Sequence, residues 1–417
     1  MTTKNNIPAG YKDSAVGVIP QEWEVKRLVD LCQNTGDYGI NAPSVPYRED
    51  LPTYLRITDI DGWGKFIETD KVSVDNPNSS QFILREGDIV FARTGATVGK
   101  TYLYDSKDGQ LVFAGFLIRF TPNSNKAIPY YIKASTETAS YWNWVRIISQ
   151  RSGQPGINSV EYGAMKLAVP PLAEQRKIAE ILGVWDEAIE KQSRLIEKLE
   201  LRKRALMQRL LTGRIHLPGF TTPWQKRRMK DCFEHINGTS NGCEYLPMTI
   251  SARLGLISQN DKFDRVIAGD SLKKYTHIQK GDFAYNKGNS NLYEMGCIYR
   301  LKEQDAVVPF VYICFRPKQN VIGEFYQHFF INHGLDRQLK RIITSGARGD
   351  GLLNVDKTDF FELEIVYPPI AEQKAIAEVL SAADNEIDIH RKKLDALRLQ
   401  KRGLMQQLLT GKTRVKI

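Results

Sequence analysis

Pro170-Pro-Leu-Ala-Glu-Gln-Arg-Lys-Ile-Ala-Glu-Ile-Leu182 decides how this chain is organised, because it occurs twice. Pro368-Pro-Ile-Ala-Glu-Gln-Lys-Ala-Ile-Ala-Glu-Val-Leu380 repeats it with nine of thirteen positions identical, 198 residues further on. The same offset aligns Met207-Gln-Arg-Leu-Leu-Thr-Gly213 with Met405-Gln-Gln-Leu-Leu-Thr-Gly411. A gapless match of that length means two copies of one unit.

Within each copy the apolar period is helical. Ile178, Leu182, Trp185, Ile189, Gln192, Ile196, Leu199, Lys203, Leu206 and Leu210 alternate spacings of four and three. Ile376, Leu380, Ala383, Ile387, His390, Leu394, Leu397, Lys401, Leu404 and Leu408 repeat that register. This is a heptad seam. Pro171 and Pro369 suit helix starts, and Gly213 and Gly411 suit C-terminal caps. A helix of about 40 residues is roughly 60 Å long and cannot bury its stripe alone. With a globular region between them, the two helices are expected to pair as an antiparallel coiled coil with pseudo-twofold symmetry. The alternative is two separate helices, each folded against its own neighbour.

Working outward, each copy carries a region of about 150 residues ahead of its helix. The expected layout is a first head over 1–168, a first spacer helix over 169–213, a second head over 214–366, and a second helix with a basic tail over 367–417. Each head contains a tryptophan (Trp23, Trp224), a Gly-Asp step before an apolar run (Gly87-Asp88, Gly281-Asp282) and a Ser-Gly loop (Ser152-Gly153, Ser345-Gly346). Elsewhere the heads diverge. Strand-like runs at 54–57, 88–92, 111–120, 282–285, 297–301 and 364–367 alternate with helix-like runs at 130–148 and 323–343. The expected fold class is α/β (α+β).

The chain carries a formal net charge of +10. From Leu201 to Lys230 there are nine Lys or Arg residues and no acid, and from Arg391 to Ile417 nine against Asp395 alone. Solvated helix ends explain such runs, as does contact with phosphates or an acidic partner. No apolar window is long enough to span a membrane, and the polar N-terminus lacks a secretory core. A cytoplasmic protein is expected. Cys32, Cys232, Cys243, Cys297 and Cys314 show no metal-ligand spacing, so no metal is expected, and the thiols read as small buried hydrophobes.

The tandem layout, the two PP(L/I)AEQ helix starts, the two MQxLLTG helix ends and the opening Tyr11-Lys12 … Gly17-Val-Ile-Pro20-Gln-Glu-Trp23 resemble the specificity subunits of type I restriction-modification systems. The resemblance implies that each head is a target recognition domain reading one half of a split, asymmetric site in double-stranded DNA. It implies a helical spacer and docking of two adenine-N6 methyltransferase subunits, with restriction subunits joining through them. S-adenosylmethionine would belong to the methyltransferase partner, ATP and magnesium to the restriction partner, and no cofactor to this chain.

Three loops are candidates for DNA contact. The first resembles a loop of the family's recognition domains and offers Arg93, Thr94 and Lys100; arginine pairs bidentately with guanine, while lysine and threonine hold phosphate. The second follows Gly281-Asp282 and offers Asn286, Lys287, Asn289 and Asn291, whose amides suit adenine. The Ser-Gly loops add Arg151, Gln154 and Arg348. Ordinary turn chemistry accounts for the same residues. Gly95 and Gly99-Lys100-Thr101 stand one residue short of a phosphate-binding loop, so nucleotide is not expected there. The Pro-Pro steps after Val169 and Tyr367 lack the Asn or Asp that precedes them in amino-methyltransferases. No catalytic constellation is visible, so a non-catalytic binding protein is expected.

Overall fold

A computed structural model describes residues 7–151, 153–239, 245–262, 270–288, 292–343 and 353–416. The chain is mixed α/β and divides into two compact units. Unit 1 comprises Met1–Gln192 with Lys393–Ile417, and unit 2 comprises Ser193–Lys392. Each unit therefore holds one head and part of both long helices.

In unit 1, four strands form an antiparallel sheet in the order Asp37–Tyr38, Leu117–Phe120, Ile89–Ala92, Thr101–Leu103. A second sheet joins Leu111–Phe113, Thr53–Leu55, Val72–Ser73 and Val45–Pro46, with its first pair parallel. Ile89–Ala92 is buried on both faces, which is why that run is apolar throughout. The run expected as one strand over 111–120 is two strands, divided by a turn closed by Leu117 N–H donating to the Ala114 carbonyl at 2.8 Å. The 130–148 run is likewise two helices, α1 (Pro129–Ser135) and a second over Ala139–Ile148 capped by the Thr138 hydroxyl. The first break falls at Gly115 between apolar residues, and the second in the polar run Ser135-Thr-Glu-Thr138.

The long helix α2 (Leu172–Leu210) begins in unit 1, and its last turns belong to unit 2. Unit 2 has a four-stranded sheet in the order Phe233–His235, Ile313–Pro317, Phe283–Asn286, Cys297–Arg300. This is the arrangement of the first sheet in unit 1. Phe233 packs edge-on against Phe283, Phe315 and Tyr326. The 323–343 run is broken too, into α3 (Gly323–Ile331) and Asp336–Ile342, where His333 takes φ 61°. The second long helix, α4 (Ile370–Leu408), has 39 residues like α2.

The Gly-Asp steps are structural. Asp88 accepts from Arg85 N–H at 2.9 Å and the Thr121 hydroxyl at 2.6 Å. Asp282 accepts from Gln279 N–H at 2.7 Å and pairs with Arg316 through both oxygens. Cys32, Cys232, Cys297 and Cys314 are buried. Burial pushes the thiols of Cys32 and Cys314 up to about 12. Cys243 lies outside the described residues. No helix is long and apolar enough to cross a membrane among the described residues.

Candidate nucleic-acid interface

The repeated motifs meet at one tryptophan in each unit. In unit 1, Trp23 Nε1 donates to Glu174 Oε2 at 3.0 Å, and Arg414 grips the same carboxylate at 2.7 and 3.0 Å. In unit 2, Trp224 Nε1 donates to Glu372 Oε2 at 2.8 Å, and His216 Nδ1 lies 2.8 Å from Glu372 Oε1. Glu174 and Glu372 are fully buried, so both need such partners. The adjacent glutamines clamp the heads. Gln175 accepts from Ile128 N–H and donates to the Pro170 carbonyl, both at 2.9 Å. Gln373 does the same with Ile322 and Pro368 at 3.0 and 2.8 Å. The helix-ending glycines complete the anchor. Gly213 and Gly411 sit at φ +67° and +70°, and a side chain at either would strike the unit's own tryptophan or Pro20. Thus the Glu-Gln of one copy and the Gly of the other copy converge within each unit.

Polar seam residues are paired inside each unit. In unit 1, Lys401 donates to Asp186 at 2.7 Å, and the Tyr130 hydroxyl takes the other oxygen of that carboxylate. In unit 2, Lys203 pairs with Asp384, Arg202 with Glu386 at 2.8 Å, and Arg391 with Glu200 at 2.6 Å. Of the expected seam, Ile178, Leu182, Ile196, Leu199, Ile376, Leu380, Ile387 and Leu394 are buried, while Trp185, Ile189 and Leu397 are half-buried. Ile178 and Leu182 pack with Leu408 and with Trp23 and Tyr131 of the head. Ile376 and Leu380 pack with Met207, Leu210 and Tyr326.

On these anchored heads, two of the candidate loops of unit 1 come together. Strand Ile89–Ala92 delivers Arg93 at its end. Arg93 N–H donates to the Phe116 carbonyl at 3.0 Å, and its carbonyl accepts from Ile157 N–H at 2.9 Å. Thr94 bridges Gly156, and Gly95 N–H donates to the Pro155 carbonyl at 3.0 Å. Gly95 stands at φ +71°, with the Gln154 amide 2.9 Å from where a Cβ would lie. The Arg93 guanidinium lies over the Tyr38 ring, 4.9 Å from its centre, and reaches the Gly115 carbonyl at 3.4 Å. It has no carboxylate partner among the described residues, and its Nε is buried without a hydrogen bond.

The other two candidate cations of unit 1 have work within the protein. Lys100 donates to the Ile60 carbonyl at 2.9 Å. Arg151 forks onto Glu161 at 2.6 and 2.7 Å and caps the Ile148 and Gln150 carbonyls at 2.8 and 2.9 Å. Lys100-Thr101 leads into a strand, whereas a phosphate-binding loop opens a helix there. In unit 2, Asn286 ends its strand and its Oδ1 accepts from Gly288 N–H at 3.0 Å, while the Lys287 carbonyl accepts from Leu353 N–H at 2.9 Å. Asn289, Asn291 and Arg348 lie outside the described residues. No cluster of three or more His, Cys, Asp or Glu fit to hold a metal occurs among the described residues.

Sequence reasoning missed Tyr38, Phe116, Arg414 and His216. The last two left a signal, since each stands three residues after the helix-ending glycine of its copy. Phe116 left a weaker one, a glycine inside an apolar run.

The model of the type I restriction modification DNA specificity domain matches residues 20–201 and 265–399. The chain belongs to this family. The MjaX specificity subunit of a type I restriction enzyme from Methanocaldococcus jannaschii is similar to it, at 27% identity over 435 residues and 97% of each chain. The crystal structure of the type I restriction-modification S subunit from M. genitalium shares the fold, with a TM-score of 0.56, 13% identity and 98% of each chain covered. So does a chain from a structure of type I R-M system assembly and conformational transition, with a TM-score of 0.53, 15% identity, and 95% of this chain and 99% of that one covered. The family assigns this specificity-domain chain a role in DNA recognition.

Proposed function

We propose that this chain is the non-catalytic sequence reader of a type I restriction-modification complex, acting in the cytoplasm on a split and asymmetric DNA site. The heads over 1–168 and 214–366 are the two target recognition domains. The segments 169–213 and 367–417 pair as an antiparallel coiled coil related by internal pseudo-symmetry, and their length sets the gap between half-sites. In support, the seam contacts inside unit 2 join rising numbers on α2 to falling numbers on α4. Two adenine-N6 methyltransferase subunits dock on this scaffold and bring S-adenosylmethionine. Restriction subunits join through them and bring ATP and magnesium, while this chain binds no cofactor itself.

One observation carries the reading: the same Trp–Glu–Gly anchor underlies two heads whose exposed loops differ. A common mount with unlike readers suits a site whose halves differ in sequence. Among the candidate residues, Arg93 fits direct readout best, since it is held in place and has no acidic partner among the described residues. Thr94 and Gln154 line the same loop pair, and Asn286 and Lys287 occupy the equivalent place in unit 2. Lys100 and Arg151 hold the loops in shape, and any DNA contact by them is to phosphate.

The test is exchange of residues 1–168 for the first head of another family member, in the complex with its methyltransferase subunits. Mapping methylated adenines should show one half-site replaced and the other kept. Change in both halves, or in neither, would overturn the modular reading.

A further inference from the structure

The turn at 114–117 carries a side chain that turn chemistry does not call for. Tight turns favour Gly, Asn, Asp and Ser at their tips, for backbone reasons. Here Phe116 occupies the tip and is 56% exposed, while Phe113, Ala114 and Leu117 beside it are buried. The turn is therefore firmly seated, and the ring is not part of what seats it. Leaving that much apolar surface in water costs free energy, and no packing need of the head explains it.

Phe116 and Arg93 sit on adjacent backbone segments joined by the Arg93 N–H to Phe116 carbonyl bond. Segments paired in this way run about 5 Å apart, close to the ~3.4 Å rise of one base pair along a strand. The guanidinium lies over the Tyr38 ring, and the Tyr38 hydroxyl accepts from Ser159 N–H at 3.1 Å, which fixes the ring. Arg151 nearby is neutralised by Glu161, whereas Arg93 keeps its charge unpaired among the described residues. A held cation with spare donors beside an exposed apolar ring matches a base-pair step in the major groove: two acceptors on a guanine next to the methyl group of a thymine.

We propose that Arg93 and Phe116 form one two-base reader, with Arg93 on guanine, Phe116 on the methyl of an adjacent thymine, and Tyr38 as the positioning residue. This rests on the reading of the first head as a DNA recognition domain.

The experiment uses the chain assembled with its methyltransferase subunits and a duplex library randomised across both half-sites. The wild-type complex should enrich a split motif. Arg93→Ala should relax one guanine position roughly tenfold. Phe116→Ala should relax the neighbouring thymine position about fourfold, as expected for one buried methyl, and leave the other half-site unchanged. Tyr38→Leu should relax the guanine position and spare the thymine. Replacing that thymine by uracil, which lacks the methyl group, should weaken the wild-type complex by the factor lost in Phe116→Ala and leave the variant unaffected. The uracil arm needs no variant, so a misfolded Phe116→Ala would not rescue the idea.

An enriched motif unchanged by Phe116→Ala and indifferent to uracil would overturn the proposal alone. Loss of methyltransferase assembly with an intact motif would also overturn it, marking Phe116 as a protein contact. If the wild-type complex enriched no motif at all, the DNA-reading role would fall and this proposal with it.

Discussion

Unit 2 contains all six histidines of the chain, and unit 1 contains none. The difference falls at matching places. Where unit 1 closes its tryptophan anchor with Arg414, unit 2 uses His216. Where the Tyr130 hydroxyl approaches Asp186 in unit 1, His328 lies 3.8 Å from Asp384 in unit 2. Where Arg93 follows its strand in unit 1, Lys287 follows the corresponding strand in unit 2. The carboxylates and the tryptophans are the same in both. The anchor thus demands a buried acid at the helix start and tolerates different donors around it, because a buried carboxylate needs hydrogen bonds more than any particular cation.

The largest expected effect tests the anchor itself. Trp23→Ala should cost unit 1 about 3–5 kcal/mol, since the ring is wholly buried and its N–H satisfies Glu174. Trp224→Ala should cost unit 2 less, because that ring is only half-buried. Urea unfolding with hydrogen exchange resolved by segment checks both values; equal losses would mean that the anchors are energetically alike.

The seam ion pairs sharpen the comparison next. Lys401→Met leaves Asp186 in a partly buried site and should cost roughly 3 kcal/mol. Lys203→Met should cost less than about 1 kcal/mol, because Asp384 is 39% exposed and water screens it. The measurement is the difference in unfolding free energy between the two variants.

The reader loops come third. Arg93→Ala should remove about 1–3 kcal/mol of base discrimination in one half-site. Arg151→Ala should leave site choice intact and change stability by less than about 1 kcal/mol, since its exposed pairing with Glu161 is internal. Enrichment from a randomised duplex pool distinguishes them.

The last comparison is the pH response. Burial depresses His328 to about 4 from its ordinary 6.5, with Lys203 and Lys302 acting in the same direction, and Asp384 and Glu324 opposing. The unfolded chain therefore takes up the proton first. The stability of unit 2 should be full above pH ~6.5 and decline toward pH ~4, by at most about 1.4 kcal/mol per pH unit. Unit 1 has no histidine to respond in that window. His328→Gln should flatten the profile of unit 2, and hydrogen exchange across this pH range would show it.

Much of the scaffold was legible before any coordinates. The heptad spacing from Ile178 to Leu210 marks a long helix because a 3.5-residue period has no other common cause. Gly213 and Gly411 mark its ends because a residue in the left-handed region is cheapest as glycine. The break at Gly115–Phe116 left only a glycine between apolar residues, whereas the break at 136–138 lies in the polar run Ser135-Thr-Glu-Thr138, whose last threonine caps the next helix. At the interface, the sequence pointed to Arg93, Lys100 and Arg151 alike. What separates them is the company each keeps: a tyrosine face, a backbone carbonyl, a glutamate.

By itself, the sequence determined the duplication, the long helices and the places where they start and stop, since local periodicity and backbone preference are written residue by residue. Only the tertiary structure decided that Glu174 meets Trp23 and Arg414, that Glu372 meets Trp224 and His216, and that Arg151 meets Glu161 while Arg93 has no carboxylate partner among the described residues. The first two outcomes depend on groups about 150 to 240 positions apart along the chain. Burial makes each such carboxylate find its partners wherever the fold brings them, and no spacing rule records that search.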